Sequence, residues 1–328
     1  MTVSAPRYLF LESTSECNLR CGHCHLWQSH DEDAALTTKE KVALVRQLAG
    51  WADRAVVVVT GGEPLRKPDE LFAITRECRR HGLSSATNTN ATLIDAPMVG
   101  RLLEEGPRWL VVSLDSHRPE LFDRTRGVPG TFARVVDTLR ALVTARRQRP
   151  ESDVRILTST ILFDENAPEI ERVVALADDL GVDGMLFQPL SRTFALRSRR
   201  DAFFDRHRPR DFAVLDDAVD RLIDLKRAGA PIETSEGDLH WMKLYARDPD
   251  FIGEQVCGSG ERNVMIDHAG RVQLCFRMHD LMGGRFLGNV REQPLRVLLE
   301  SDFAAEARGV MAACRKNCGM LNCHRKIA

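Results

Sequence analysis

Three cysteines within eight residues, in Cys17-Asn18-Leu19-Arg20-Cys21-Gly22-His23-Cys24, constrain this chain more than any other feature. Spacings of three and two residues make a metal clamp, not a disulfide pattern. Three thiolates on one short loop converge on a single soft metal centre. A mononuclear zinc site would want a fourth protein ligand. An iron–sulfur cluster held by three cysteines leaves one iron with an open position, where a substrate or cofactor can bind. The loop therefore reads as catalytic.

The surrounding pattern predicts the scaffold. Tyr8-Leu9-Phe10-Leu11 is a short apolar strand that leads directly into the loop. Thr37 or Thr38 caps a helix running to about Gly50. Ala55 to Thr60 contains a continuous β-branched run, the mark of a parallel strand buried on both faces. A helix from about Pro68 ends near Gly82. Further strands are predicted at Ser84–Thr89, Trp109–Leu114, Val154–Leu162 and Met185–Gln188. They alternate with helices at Ile94–Glu105, Thr131–Arg147 and Pro168–Leu180. Six alternating strands mean an α/β fold with a parallel sheet. A closed eight-stranded barrel typically needs ~250 residues, so the count favours an open, partial barrel. After Pro189 the pattern changes: Ser191 to Arg210 has no clear period and reads as a connection over the barrel mouth. Phe212 to Ala228 is helical, with Leu215, Val219, Leu222 and Leu225 on one face.

Nine cysteines in one chain matter only in context. A net charge of −1 gives no electrostatic footprint for nucleic acid or an anionic membrane. The first residues, MTVSAPRYLFLES, lack the regions of a signal peptide, and no stretch approaches a membrane span. The chain is expected to be cytoplasmic, where thiols stay reduced and clustered cysteines bind metal. Eight of the nine cysteines fall in two groups, Cys17 to Cys24 and Cys257 to Cys323. Cys78 stands apart in an amphipathic helix pattern and reads as a buried structural thiol.

CxxxCxxC just after a first strand resembles the signature of the radical S-adenosylmethionine (radical SAM) superfamily. Thr60-Gly61-Gly62-Glu63-Pro64, directly after the second strand, is similar to that family's GGEP element. The resemblance implies a (β/α)6 partial TIM-like barrel in which Cys17, Cys21 and Cys24 hold a 4Fe–4S cluster. The open iron would take the amino and carboxylate groups of SAM. Reductive cleavage would then give a 5′-deoxyadenosyl radical that removes hydrogen from a C–H bond. Gly61, Gly62, Glu63 and Pro64 are candidate SAM contacts, with Glu63 and nearby carbonyls suited to the ammonium. Ser113 and Asp115, in an SLD-like element at the fourth strand's end, are candidates for the polar ends of SAM. Asn88 and Asn90 end the third strand, where ligand groups or turn residues would sit. Arg126, in a segment resembling a family linker, could pair with the SAM carboxylate or be a solvated loop arginine. His23 would pack near the adenine side. His25 and His30 read as polar loop residues, Trp27 as a cover for the cluster, and Gln188 as a sheet cap or a ligand contact. Trp241, Met242 and Tyr245 could line a pocket or pack a helix.

The second cysteine group begins at Cys257. Twelve residues separate it from Gly270, and four more separate Gly270 from Cys275. This is similar to the opening of the SPASM and Twitch auxiliary-cluster modules. Asn263 to Val272 reads as a hairpin that would bring the two thiols together. Cys314, Cys318 and Cys323 follow. Five cysteines suffice for one four-thiolate auxiliary Fe–S cluster, 4Fe–4S by the resemblance, with one thiol to spare; structural zinc is the alternative reading. A spare thiol could donate a hydrogen atom to a substrate radical, giving an epimerase. With every thiol a ligand, the cluster could accept an electron, giving a dehydrogenase or cross-linking enzyme. The expected organisation is a barrel over 5–190, a helical connection over 191–250 and an auxiliary-cluster module over 251–328. The catalytic loop starts at residue 17, without room before it for a leader-recognition domain. That tips the expected substrate toward a small polar natural product, a sugar or aminoglycoside-like compound. A peptide delivered by a separate leader-binding partner is the alternative, and a non-catalytic zinc module the remote one. A flavodoxin- or ferredoxin-like protein is the implied electron donor.

Overall fold

The β-branched run becomes β2 (Val56–Gly61), and it lies against β1 (Tyr8–Thr14) in parallel register, Leu9 opposite Val57 and Leu11 opposite Val59. The computed structural model describes residues 4–28, 34–192, 201–249 and 257–315. Four more parallel strands extend the sheet: β3 (Ser84–Thr89), β4 (Trp109–Ser113), β5 (Arg155–Leu162) and β6 (Gly184–Pro189). Successive strand residues point to opposite faces. On one face Leu9, Leu11, Val57, Val59, Leu110 and Val112 are fully buried in the main core. Helices cover that face: α1 (Thr38–Ala49), α2 (Pro68–Arg80), α3 (Ala96–Glu105), α4 (Pro119–Arg126), α5 (Thr131–Arg147) and α6 (Ile170–Leu180). The other face is the inner face of a partial barrel. Cys78 lies fully buried in α2, as expected, and burial pushes its thiol up to about 12.

Helix starts follow local chemistry. Thr37 caps α1 and forms a reciprocal box with Glu40. Lys41, one turn into α1, is fully buried and donates to Glu70 Oε1 at 2.7 Å and to the Ser13 carbonyl at 2.5 Å. The Ser13 hydroxyl donates to the same Glu70 oxygen at 2.7 Å. One buried ion pair thus ties α1 and α2 to the end of β1, just before the cysteine loop.

Past the barrel lie α7 (Ala202–His207), α8 (Phe212–Arg227) and α9 (Glu236–Arg247), then α10 (Ser259–Arg262), β7 (Asn263–Ile266) and β8 (Val272–Gln273). The chain closes with α11 (Met278–Leu281), α12 (Leu295–Glu300) and α13 (Asp302–Ala312). The expected hairpin forms, but it does not stand apart. β7 pairs in parallel with β1, Tyr8 opposite Asn263, so one eight-stranded sheet runs β6-β5-β4-β3-β2-β1-β7-β8. Val264 and Ile266 enter the same core as Leu9 and Leu11. The reason is physical: β1 ends the six-strand set with a free hydrogen-bonding edge, and β7 satisfies it. Among the described residues no helix is long and apolar enough to cross a membrane.

Candidate functional site

Every strand of the barrel delivers its C-terminal end to the cysteine loop's side of the sheet. The loop is then fastened from below. Gly62 N–H donates to the Thr14 carbonyl at 2.7 Å, and Glu63 N–H to the Glu16 carbonyl at 2.8 Å. A Cβ at Gly61 would collide with the Thr14 carbonyl, and one at Gly62 with the Glu16 carbonyl. These glycines therefore let the end of β2 press against the backbone entering the loop. Glu63 is 1% exposed. Its carboxylate accepts from Leu65 N–H at 3.0 Å, Thr89 Oγ1 at 2.7 Å and Asn90 N–H at 2.8 Å. Burial raises its pKa against those hydrogen bonds. Three donors leave room for one more on that carboxylate.

From the side, Asn90 follows β3 and reaches under Cys17. Its Nδ2 donates to Asn18 Oδ1 at 2.9 Å and lies 3.8 Å from Cys17 Sγ. Asn18 in turn donates to Thr92 Oγ1 at 2.7 Å. Ala91, between them, holds a left-handed φ of 58°, an uncommon conformation for a residue with a side chain. From above, α4 grips the loop by its last carbonyls. Arg20 N–H donates to the Arg126 carbonyl at 3.1 Å, and Gly22 N–H to the Thr125 carbonyl at 3.0 Å. Gly127 ends α4 in the left-handed conformation, pressed on Arg20. Trp27 Nε1 donates to the Cys21 carbonyl at 3.2 Å, which sets the indole beside the loop.

Arg126 is the principal departure from expectation. It is not a solvated loop residue: it closes a helix and is 5% exposed. Its Nη2 pairs with the Asp115 carboxylate, and its Nη1 lies 3.9 Å from Cys21 Sγ. Asp115 is itself fixed, its Oδ1 accepting from Ile161 N–H at 2.9 Å and its carbonyl from Asn166 Nδ2 at 2.7 Å. α4 escaped the sequence reading because Pro119 to Arg126 holds only two apolar residues, Leu121 and Phe122, too few for a period. The Pro at its first turn and the Gly after it were the available signals.

Three groups test whether the loop fits a metal centre. Burial raises the Cys17 thiol and pushes Cys24 up to about 11, so an unmetallated loop keeps both protonated. Donors nevertheless face the sulfurs: Leu19 N–H at 3.5 Å and Asn90 Nδ2 toward Cys17, Arg126 toward Cys21. Such donors favour thiolate, which metal ligation supplies. The donor set fits an iron–sulfur cluster. Beside it, burial holds His23 down to about 4, helped by Arg126. Both ring nitrogens of His25 are buried without a partner. His30 lies outside the described residues.

The inner face carries a second set. Glu12, Thr60, Asn88, Ser113, Ser159 and Gln188 alternate with the core residues and sit in the C-terminal halves of their strands, half-buried or exposed. Gln188 Nε2 donates to Ser159 Oγ at 2.9 Å. Glu12 was not singled out by the sequence. Its Oε2 accepts from His268 N–H at 3.3 Å, with His268 Nδ1 at 3.5 Å, while Oε1 has no partner among the described residues. The side wall is aromatic: Phe203 of α7 lies against Gly22 and near His23, with Phe204, Phe163 and Tyr245 in one small cluster. His207 stacks on Phe203 and meets Glu165 at 2.9 Å. The connection after Pro189 thus packs α7 against the loop. Met242 and Tyr245 are buried packing residues, and Trp241 stacks on Tyr245.

Of the C-terminal cysteines, Cys257, Cys275 and Cys314 are half-buried. α10 packs against α13, and Cys257 feels the charge of Cys314. Ser259 Oγ donates to the Leu274 carbonyl at 2.7 Å, fastening the segment after Cys257 to the residue before Cys275. Cys318 and Cys323 lie outside the described residues.

Comparison with known proteins agrees with this geometry. The model of the Radical SAM superfamily matches residues 11–177, and that of SPASM, an iron–sulfur cluster-binding domain, matches 257–324. The chain is 28% identical over 318 residues to the AdoMet-dependent heme synthase of Methanosarcina barkeri, covering 91% of this chain and 83% of that one. It is 27% identical over 292 residues to the mycofactocin maturase MftC of Mycobacterium ulcerans, covering 88% and 72%. SuiB of Streptococcus suis, solved bound to S-adenosylmethionine, superposes with a TM-score of 0.73 at 18% identity, over 97% of this chain and 74% of that chain. That likeness is one of fold.

Proposed function

Because the chain belongs to the radical SAM superfamily and carries a SPASM domain, we propose that it abstracts hydrogen from a C–H bond of a small, polar, amine-bearing natural product of the amino-sugar or aminoglycoside kind. The outcome would be dehydrogenation or epimerisation. Radical SAM and SPASM domains imply 4Fe–4S clusters and SAM, and bound together these supply a 5′-deoxyadenosyl radical. Cys17, Cys21 and Cys24 are the proposed ligands of the first cluster. Four of Cys257, Cys275, Cys314, Cys318 and Cys323 are the proposed ligands of an auxiliary one. The two matched spans support a barrel over 5–190, a connection over 191–250 and an auxiliary module over 251–328.

Most residues expected at SAM have a part in this reading, while Asn90 reaches under Cys17 instead. Ser113 and Asn88 face inward and would meet its polar groups. Glu63 and the Gly61–Gly62 backbone border the loop where its ammonium would lie, with Pro64 buried behind them. His23, held neutral, suits an adenine face. Asp115 and Arg126 pair with each other beside Cys21 and would border the site rather than contact SAM. A flavodoxin- or ferredoxin-like donor in the cytoplasm would supply the electron.

The observation that carries the substrate class is Glu12: an inward carboxylate with one unpartnered oxygen, set in a ring of neutral hydroxyl and amide side chains. Such a ring hydrogen-bonds hydroxyls, and the free oxygen favours an ammonium. A peptide substrate is the second reading. Its support is the mycofactocin maturase relative and the structure of SuiB bound to precursor peptide SuiA.

The test is 5′-deoxyadenosine release by the reduced, reconstituted enzyme with amino sugars, their N-acetylated forms and precursor-type peptides. Stimulation by free amines alone supports the proposal, and Glu12→Gln should then raise the KM at least tenfold. Stimulation only by peptide moves the assignment to a maturase. A product two hydrogens lighter marks a dehydrogenase; deuterium gained from D2O marks an epimerase.

A further inference from the structure

The geometry points to Arg126 and Asp115 as an opposed pair of charges that sets the reduction potential of the cluster held by the N-terminal loop, Arg126 raising it and Asp115 restraining it. The inference rests on the reading that Cys17, Cys21 and Cys24 hold that cluster.

Reducing a cluster by one electron makes it more negative, so a nearby positive charge favours the reduced form and raises the potential. The charge must be close and poorly screened. Arg126 meets both conditions. Its Nη1 lies 3.9 Å from Cys21 Sγ, and the residue is 5% exposed. Asp115 is 1% exposed and binds the other terminal nitrogen, so the guanidinium makes the closer approach to the sulfur. The field at the thiolate is therefore positive, but tempered.

Two details separate this from a simple brace. Backbone carbonyls of Thr125 and Arg126, not the guanidinium, hold the loop's N–H groups. Among the described residues the buried Arg126 Nε has no hydrogen-bond partner. A guanidinium kept only to fasten helix to strand would place its donors on acceptors. Here one donor faces sulfur, another stays unpaired, and the planar group is held over the Phe122 ring at 5.3 Å. The fixed orientation keeps the charge at the sulfur without reorganisation when the electron arrives.

The experiment is a dithionite redox titration of the reconstituted full chain without SAM, followed by electron paramagnetic resonance. The signal of the N-terminal cluster is identified as the part lost in a variant with Cys17, Cys21 and Cys24 changed to Ala. Arg126→Gln leaves the carboxylate unopposed, and the midpoint should fall. Asp115→Asn leaves the guanidinium unopposed, and the midpoint should rise. Arg126→Lys keeps a charge and should shift it less than Arg126→Gln. Opposite signs support the proposal, because disorder of the loop would move both variants the same way. Shifts of one sign, or unchanged midpoints, overturn it. If Arg126→Gln fails to assemble a cluster, the sign in Asp115→Asn decides. Absence of the N-terminal signal in the unaltered protein would defeat the underlying cluster assignment instead, and the iron content would show it.

Discussion

The two cysteine regions of this molecule are built in opposite ways. The N-terminal loop is gripped by α4, the end of β2, the turn after β3 and the buried Lys41–Glu70 pair behind Ser13. The N–H groups of Arg20 and Gly22 and the carbonyls of Thr14 and Glu16 are all bonded to neighbouring elements. The C-terminal region draws Cys257, Cys275 and Cys314 from three separated segments, joined through β7, β8 and the α10–α13 contact. A site that must leave one iron open for chemistry has to be preorganised by protein. A site closed by four thiolates can derive more of its order from the metal itself.

Removing ligands should break the comparison most visibly. With Cys17, Cys21 and Cys24 changed to Ala, iron should drop from about eight to about four per chain, and SAM cleavage should vanish. Cys257→Ala should also cost about four irons yet leave reductive SAM cleavage measurable. Cleavage lost equally in both would mean that the two sites are not independent. Next comes the scaffold. Lys41→Met strands Glu70 in the core and should cost about 3–5 kcal/mol of stability by denaturant unfolding. The double change with Glu70→Leu should recover much of that, which would show that the pair positions the loop rather than stabilising the fold. A smaller effect is expected at the link between the two regions. Arg291 reaches from the C-terminal segment to Glu40 of α1, at 2.6 Å, and holds that carboxyl down to about 2. A depressed carboxyl lends stability above its ordinary value near 4.5, and that stability fades as pH falls toward about 2. Both partners are partly exposed, so Arg291→Gln should cost little stability. It should flatten that part of the acid-unfolding profile.

The barrel was legible because its signals are local. Val56–Val59, the Thr37 cap and the Gly after α6 each declare an element without help from distant residues. Ser84–Thr89 and Thr131–Arg147 match their expected bounds residue for residue. The two cysteine groups were legible from spacing. What escaped was everything created by long-range contact. The sequence marks Arg126 by the linker it resembles, but shows neither its pairing with Asp115 nor its approach to Cys21. Glu12 looks like any strand acid until register turns it inward and His268 takes one oxygen. Gly61 and Gly62 were read as candidate SAM contacts; that their missing side chains also make room for residues 14–16 of the chain itself was not legible.

The pairing of β1 with β7 has a consequence for how the protein is made. Tyr8 leaves the ribosome some 250 residues before its partner Asn263. At ~5–20 residues per second, the edge of the first strand stays uncovered for roughly 13–50 s. Throughout that interval the nascent barrel presents an unpaired strand directly beneath its metal-binding loop. An exposed edge invites pairing with neighbouring chains.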